Sequence, residues 1–162
     1  MLGEPDMTGK EEKTQTGSGP AARVTDHIRR HDRLIEIFGM DIEHTAPGEA
    51  RVSMQVGPDH LNAAGFCHGA AMFALADVAF ALAANCHGQM ALALECSINY
   101  FRPAKPGAVL TATVEEVFRG RRTGNYIARI EDNEGRLVCL FKSTSFQIDD
   151  DRSVIETGGQ DK

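Results

Sequence analysis

Between Gly69 and Ala84 the chain reads GAAMFALADVAFALAA, and every residue except Asp77 is apolar or glycine. The run is too short and too rich in alanine for a membrane span, and it carries an acid at its centre. It predicts a buried helix, ended by Gly88, around which the rest of the chain must fold. An ionised carboxylate is costly to bury without a partner. At roughly 100° per residue, Met72, Leu75, Ala79 and Leu82 fall opposite Asp77 and make a wide face for packing on a sheet. The Asp77 side carries Ala70, Phe73, Ala74, Phe80, Ala81 and Ala84, a slim apolar surface without a cation. Such a surface lets a second backbone or a narrow ligand approach closely. The plain alternative is an aspartate in water or paired with an arginine. The character of the face favours a carboxylate in a cleft.

The flanking segments read as helix and then mostly strand. Val24, Ile28, Leu34, Ile35 and Phe38 predict an amphipathic helix capped by Thr25 or Asp26 and ended by Gly39. Glu49–Val56 alternates strictly, as a half-buried strand does. After the buried helix, alternation returns at Leu92–Tyr100, from Leu110 to about Phe118 and through Tyr126, Ala128 and Ile130, and a last strand, long and mixed in pattern, runs from Leu137 to about Ile148. Pro103 and Pro106–Gly107, then Gly120–Gly124, then Asp132–Gly135 separate these strands. Short turns imply antiparallel pairing. The expected architecture is α+β, one antiparallel sheet on one helix. Residues 1–22 and 150–162 are polar, with almost no apolar periodicity, and are expected to be a disordered tail and a flexible C-terminal tail. One domain, 23–149, remains.

A net charge of −6 disfavours general nucleic-acid binding. The N-terminal stretch has no apolar core of a signal peptide, and the four cysteines form no CxxC pair, so reduced thiols in a cytoplasmic protein are expected. Cys67–His68 and Cys86–His87 lie at opposite ends of the helix, roughly 28 Å apart, so no single metal joins them.

The helix start is the second chemical clue. His68–Gly69–Ala70 lies where the first N–H groups lack intrahelical partners, and such donors suit a developing oxyanion. Gly69 lets a carbonyl come near the backbone. Gly69 and Asp77 stand roughly 12 Å apart along the axis and about 80° apart around it. One carbonyl cannot touch both in one chain, so if both act on it they come from two chains. His68 is either a base or, more commonly at such a place, a loop-holding residue. Cys67 has no partner for nucleophilic work except His68, its neighbour. Arg119, Arg121 and Arg122, together with Arg102 and Lys105, either hold phosphates or are solvated.

Asn62 in HLNAAG, His68–Gly69, LADVAFALAA with Asp77, NYFRPAKPG (Asn99–Gly107) and the turns at Gly120 and Gly135 belong together. With them the chain, over about 30–148, resembles the hotdog-fold acyl-CoA thioesterases, most nearly the branch of the phenylacetic acid degradation protein PaaI. The resemblance implies a hotdog fold, with a five-stranded antiparallel sheet wrapped around a long central helix, and dimers pairing into tetramers. It implies hydrolysis of an aromatic or medium-chain acyl-CoA without a cofactor. By position Asp77 matches the catalytic carboxylate, Gly69 the backbone donor and Asn62 a polar group holding the carbonyl or the water. Ala70 stands where the family usually has a second glycine and narrows the acyl entrance. Ala93 stands near a position where some relatives carry a serine or threonine that orients water, and Ser97 could take that part. Phe73, Phe80 and the alanines fit an acyl pocket, and Arg102, Arg119, Arg121 and Arg122 a CoA site. The rival readings are a hotdog dehydratase for hydroxyacyl thioesters and an acyl-CoA-binding module without catalysis.

Overall fold

The computed structural model describes residues 19–148. Two short helices, α1 (Pro20–His31) and α2 (Arg33–Ile37), lead into a hairpin of β1 (Met40–Ala46) and β2 (Glu49–Gln55). A loop with one 3-10 turn, Pro58–His60, enters the long helix α3 (Gly69–Asn85). Four strands follow: β3 (Ala91–Tyr100), β4 (Val109–Arg119), β5 (Thr123–Asp132) and β6 (Leu137–Gln147). The sheet has six strands in the order β1-β2-β4-β5-β6-β3. Every neighbouring pair is antiparallel.

The sheet wraps α3 because both sides are apolar where they meet. Met72, Leu75, Ala79 and Leu82 are buried against inward-facing Val52, Met54, Leu110, Ala112, Val114, Ala128, Ile130 and Phe141. Alanine at every second or third helical position keeps the helix thin, so the sheet can close on it without voids. Phe80 meets Tyr126 edge-on at 5.2 Å between ring centroids. Among the described residues no helix is long and apolar enough to cross a membrane.

Three expectations need correction. The sheet gains β1, so it has six strands rather than five. A bulge between Ile42 and His44 breaks the alternation that marks a strand, and Pro47–Gly48, with Gly48 at φ +81°, makes the tight turn to β2. The single helix expected to Phe38 is two helices, because Asp32 is extended and its Oδ1 accepts from the Leu34 N–H, capping α2. The first helix starts at Pro20, not beyond Thr25 or Asp26. Thr25 is buried in mid-helix, its hydroxyl donating to the Ala21 carbonyl and meeting Thr45 Oγ1 at 2.7 Å. The expected tails lie outside the described residues, save that Pro20, Ala21 and Ala22 form the first turn of α1.

The two edges of the sheet differ. β1 carries Asp41, Glu43 and His44 outward and has α1 beside it, defences typical of a protected edge. β3 is paired only with β6 and exposes Leu92, Leu94 (63%) and Tyr100, with exposed Phe101 following it. An apolar unpaired edge of this kind is an invitation to another strand.

Candidate active site

At the start of α3 nearly every backbone donor is used. His68 is the N-cap: its Nδ1 accepts from the Ala70 N–H at 3.0 Å. Its carbonyl accepts from the Ala71 and Met72 N–H groups at 3.0 and 3.3 Å. The Gly69 N–H has no acceptor among the described residues. It is the one orphan donor of the first turn. The Tyr100 hydroxyl donates to the Gly69 carbonyl at 2.9 Å, and a Cβ on Gly69 would meet the Tyr100 ring at 3.1 Å. Glycine there serves this contact as well as an open backbone.

Asn62 shares the cleft in front of Gly69, together with Phe66, Tyr100, Phe101 and Arg102. Its Oδ1 accepts from the Ala64 and Phe66 N–H groups at 2.9 and 3.2 Å, which fixes the amide with its Nδ2 donors uncommitted. The cleft therefore offers two N–H sources, one backbone and one side chain, and no acid. Arg102 donates to the Leu137 carbonyl, which ties it to β6.

Asp77 lies in a different cavity, of about 370 Å³. Phe80, Ala81, Met90, Leu92 and Ala93 wall it on one side, and His27, Ile28 and His31 of α1 with Asp32, the residue between α1 and α2, on the other. No hydrogen bond or ion pair to Asp77 is found among the described residues. Burial, then repulsion from Asp32, pushes its carboxyl above the usual carboxylate range. A carboxylate without a partner in an apolar cavity is poised to take a proton.

Measured against known proteins, this arrangement has close company. The thioesterase superfamily model matches residues 64–139, which span the start of α3 with Gly69, the whole of α3 and the strands β3 to β5. The acyl-coenzyme A thioesterase PaaI of Escherichia coli is 38% identical over 118 residues, covering 73% of this chain and 84% of that protein. The chain belongs to the thioesterase superfamily. It has the hotdog fold, and PaaI-like structures are its neighbours: the E. coli PaaI structure superposes with a TM-score of 0.77 at 36% identity, covering 80% of this chain and 94% of that one. A hypothetical thioesterase from Streptococcus pneumoniae, solved with coenzyme A, superposes with a TM-score of 0.71 at 32% identity, covering 77% of this chain and 96% of that one.

As a thioesterase, the chain distributes the expected site residues unevenly. Gly69, Asn62 and Arg102 share one cleft, and Asp77 stands in the other with Ala93. Ala70 is exposed, and Phe73 is half-buried with its ring edge-on to Phe141 at 5.4 Å. Ser97 does not approach Asp77; it lies in a groove with Val117 and Lys142. Arg119 is not at a free hairpin tip. It donates to Gln89 Oε1 at 3.1 Å and pairs with Glu116 at 3.7 Å. Arg121 and Arg122 are exposed in the β4–β5 turn. Lys105 lies in a third groove beside Arg102 and Arg136. Among the described residues no group of His, Cys, Asp or Glu could hold a metal ion. The sequence reading missed His27, His31 and Asp32. Their signal was two histidines four apart, one face of a helix, but nothing local tells where that face docks.

Proposed function

We propose that the protein hydrolyses aromatic or medium-chain acyl-CoA thioesters at a site shared between two chains. The observation that carries this reading is the separation of an acid without donors from donors without an acid. Phe73, on the outer stripe of α3, is four residues from Gly69 and four from Asp77. Antiparallel packing of two α3 helices about Phe73 sets each Asp77 opposite the partner's Gly69. The free β3 edge obeys the same two-fold rule. Leu92 and Ala93, at its start, line the Asp77 cavity, and Tyr100, at its end, lines the Gly69 cleft. Antiparallel pairing of two such edges brings start to end. One symmetry operation thus joins both pairs of half-sites and covers Leu92 and Leu94. The exposed outer-face residues Val117, Phe118 and Phe146 are the surface through which dimers then pair into tetramers.

In this site the thioester oxygen accepts from the Gly69 N–H and Asn62 Nδ2, which stabilise it as charge develops. Asp77 of the other chain takes a proton from water as the water oxygen bonds to the carbonyl carbon. The tetrahedral intermediate breaks its C–S bond, the sulfur takes the proton that Asp77 held, and CoA leaves as the thiol. The products are the free acid and CoA. His68 shapes the helix start through its capping bond. Arg102 at the mouth of the Gly69 cleft and the exposed Arg121 and Arg122 attract the CoA phosphates, with Arg119 bracing their turn.

Titration of released thiol from a series of aryl and alkyl CoA esters separates hydrolysis from binding or dehydration, which release none. Subunit mixing tests the shared site. Asp77→Asn removes the base. Gly69→Pro removes the orphan donor at a position where proline suits a helix start, and the exposed Tyr100 ring can yield to it. Each variant alone is inactive. Re-associated in equal amounts they recover about one quarter of the wild-type activity, because half the dimers are mixed and each mixed dimer holds one intact site. Dimers that form but recover nothing would refute a site built from two chains.

A further inference from the structure

The Gly69 N–H serves as a donor only while it points into the cleft, and glycine is the residue least able to hold a direction by itself. Two peptide planes meet at Gly69. In the first, between His68 and Gly69, the carbonyl accepts from the Ala71 and Met72 N–H groups, and the N–H is unpaired among the described residues. In the second, between Gly69 and Ala70, the N–H donates to His68 Nδ1 at 3.0 Å and the carbonyl accepts from the Tyr100 hydroxyl at 2.9 Å. The chain ahead of Gly69 is tied down. The Cys67 N–H donates to the Ala104 carbonyl at 2.9 Å, and the His68 N–H to the His60 carbonyl at 2.7 Å. What remains is the rotation of the two planes about Gly69 itself.

His68 cannot lock that rotation alone, because its imidazole hangs from the adjacent Cα and turns with the same stretch of backbone. Tyr100 comes from elsewhere in the fold. It is the last residue of β3, it stands opposite Cys139 of β6, and the next N–H, of Phe101, donates to the Val138 carbonyl at 2.9 Å. Its hydroxyl therefore carries the rigidity of the sheet to the Gly69 carbonyl. The ring reinforces this. A Cβ on Gly69 would stand 3.1 Å from both Cζ and the hydroxyl oxygen of Tyr100, so the phenol lies directly against the glycine. A carbonyl only accepts, so the phenol must keep its proton to hold it. Burial, then the neighbouring Cys139, raises its pKa above the ordinary tyrosine value, and the donor is intact at neutral pH. A helical carbonyl keeps a second lone pair outside the helix ladder, so this bond adds to the helix and is not needed to form it.

Resting on the thioesterase reading, we propose that Tyr100 is a positioning residue whose hydroxyl, bonded to the Gly69 carbonyl, fixes the direction of the Gly69 N–H towards the thioester oxygen. It holds the donor's residue and not the reacting atoms. Misdirection costs most where charge develops, because a hydrogen bond weakens steeply as it bends and the oxygen carries most charge in the transition state. Tyr100 therefore acts on turnover and not on the binding of the CoA ester.

Tyr100→Phe removes the hydroxyl and keeps the ring. On phenylacetyl-CoA kcat falls about tenfold while KM stays within about twofold of wild type. The direct readout is the carbonyl stretch of a bound, carbon-13-labelled ketone analogue of phenylacetyl-CoA, in which a methylene replaces sulfur and hydrolysis is impossible. Its band moves to lower frequency on binding to the wild-type protein and returns part of the way to its solution position in Tyr100→Phe. Replacing Tyr100 by 3-fluorotyrosine, which ionises at lower pH, moves the alkaline limb of kcat to lower pH, since an ionised phenol no longer donates. A bound band unmoved by Tyr100→Phe overturns the proposal, even if the melting temperature falls, because the residue is then structural only. So does a loss confined to KM, which would make Tyr100 a substrate contact. Should Tyr100→Phe fail to fold, the fluorotyrosine protein decides, and an alkaline limb that stays in place overturns the proposal. A wild-type band that does not shift on binding, with thiol still released from acyl-CoA, overturns this inference and leaves hydrolysis standing. Release of thiol from no CoA ester removes both.

Discussion

Two carboxylates, Asp77 and Glu116, stand half-buried in this protein and have opposite surroundings. Glu116, on β4, accepts from the Tyr126 hydroxyl at 2.6 Å and from His87 Nε2 at 2.9 Å, and pairs with Arg119 at 3.7 Å. Burial alone would raise its pKa. The bonds from Tyr126 and His87 and the neighbouring charges outweigh burial, and Glu116 titrates below its usual range. Asp77, on α3, has burial and the like charge of Asp32 and nothing in the described chain to offset them, so its pKa is raised. One acid is held charged by the fold and spent on holding the end of α3 to the sheet. The other is held ready, at a cost in stability that the rest of the core must outweigh. The difference separates an acid committed to structure from one that the fold leaves without a partner, and the second is what the proposed role of Asp77 requires.

The sharpest way to break this contrast is to neutralise each acid in turn. Asp77→Asn keeps the shape and removes the base. We expect kcat on acyl-CoA esters to fall about 10²–10⁴-fold, with the dimer intact in sedimentation and the melting temperature unchanged or higher. A variant with wild-type turnover would strip Asp77 of its role. Glu116→Gln should do the reverse. It leaves Tyr126 and His87 with a weaker acceptor and Arg119 without its counter-charge, at about 2 kcal/mol of stability by urea unfolding at neutral pH. Turnover at permissive temperature should stay within a few-fold of wild type.

The pH dependence of that loss carries its own sign. A depressed carboxylate contributes stability that is present above its unfolded value, near the ordinary glutamate range, and disappears as pH falls through the folded value. The gap between wild type and Glu116→Gln should therefore close on acidification below about pH 4. A gap that persists there would mean that shape rather than charge accounts for it.

How much of this contrast could be read from the sequence depends on what each residue's neighbours are. Asp77 was legible because its helix is apolar throughout, so a lone acid stands out at once. Its separation from Gly69 followed from helical geometry alone, and the two stand in different cavities. The meander β4 to β6 was legible because turn residues bound each strand and β4 and β5 alternate over most of their length. The strand β1 was not: its bulge shifts the pattern by one residue, and an edge strand need not alternate cleanly. Nor was the break in the first helix, since Asp32 in mid-pattern looks like any exposed aspartate until its cap bond is seen. Nothing in the sequence marks Glu116, and Arg119 reads as a phosphate-holding or solvated arginine, because the partners that engage them, His87 and Tyr126 for Glu116 and Gln89 for Arg119, arrive from elsewhere in the chain. The wall of the Asp77 cavity made by the first helix was hidden for the same reason. Periodicity shows that a helix has a face, but only tertiary packing shows what that face meets.

The smallest expected effect probes the one charged neighbour Asp77 does have. Asp32 serves two purposes, capping α2 through its Oδ1 and bearing a like charge on the Asp77 cavity. Asparagine caps a helix about as well as aspartate, so Asp32→Asn removes the charge and keeps the cap. With repulsion gone, Asp77 loses its proton more readily. The acid limb of the kcat/KM profile should then move to lower pH, with the alkaline side unmoved. His27 and His31 line the cavity, and protonation of His27 at lower pH pulls the same limb in the same direction, so the shift is to be read as the difference between variant and wild type in one buffer series. Burial is the larger cause of the raised pKa and remains in the variant, so the limb should stop short of the ordinary aspartate value. A limb that moves up, or does not move at all, would mean that Asp32 does not act on the group whose protonation limits the reaction. In that case the base is a group other than Asp77, or the partner chain's donors dominate its charge state in the assembled site.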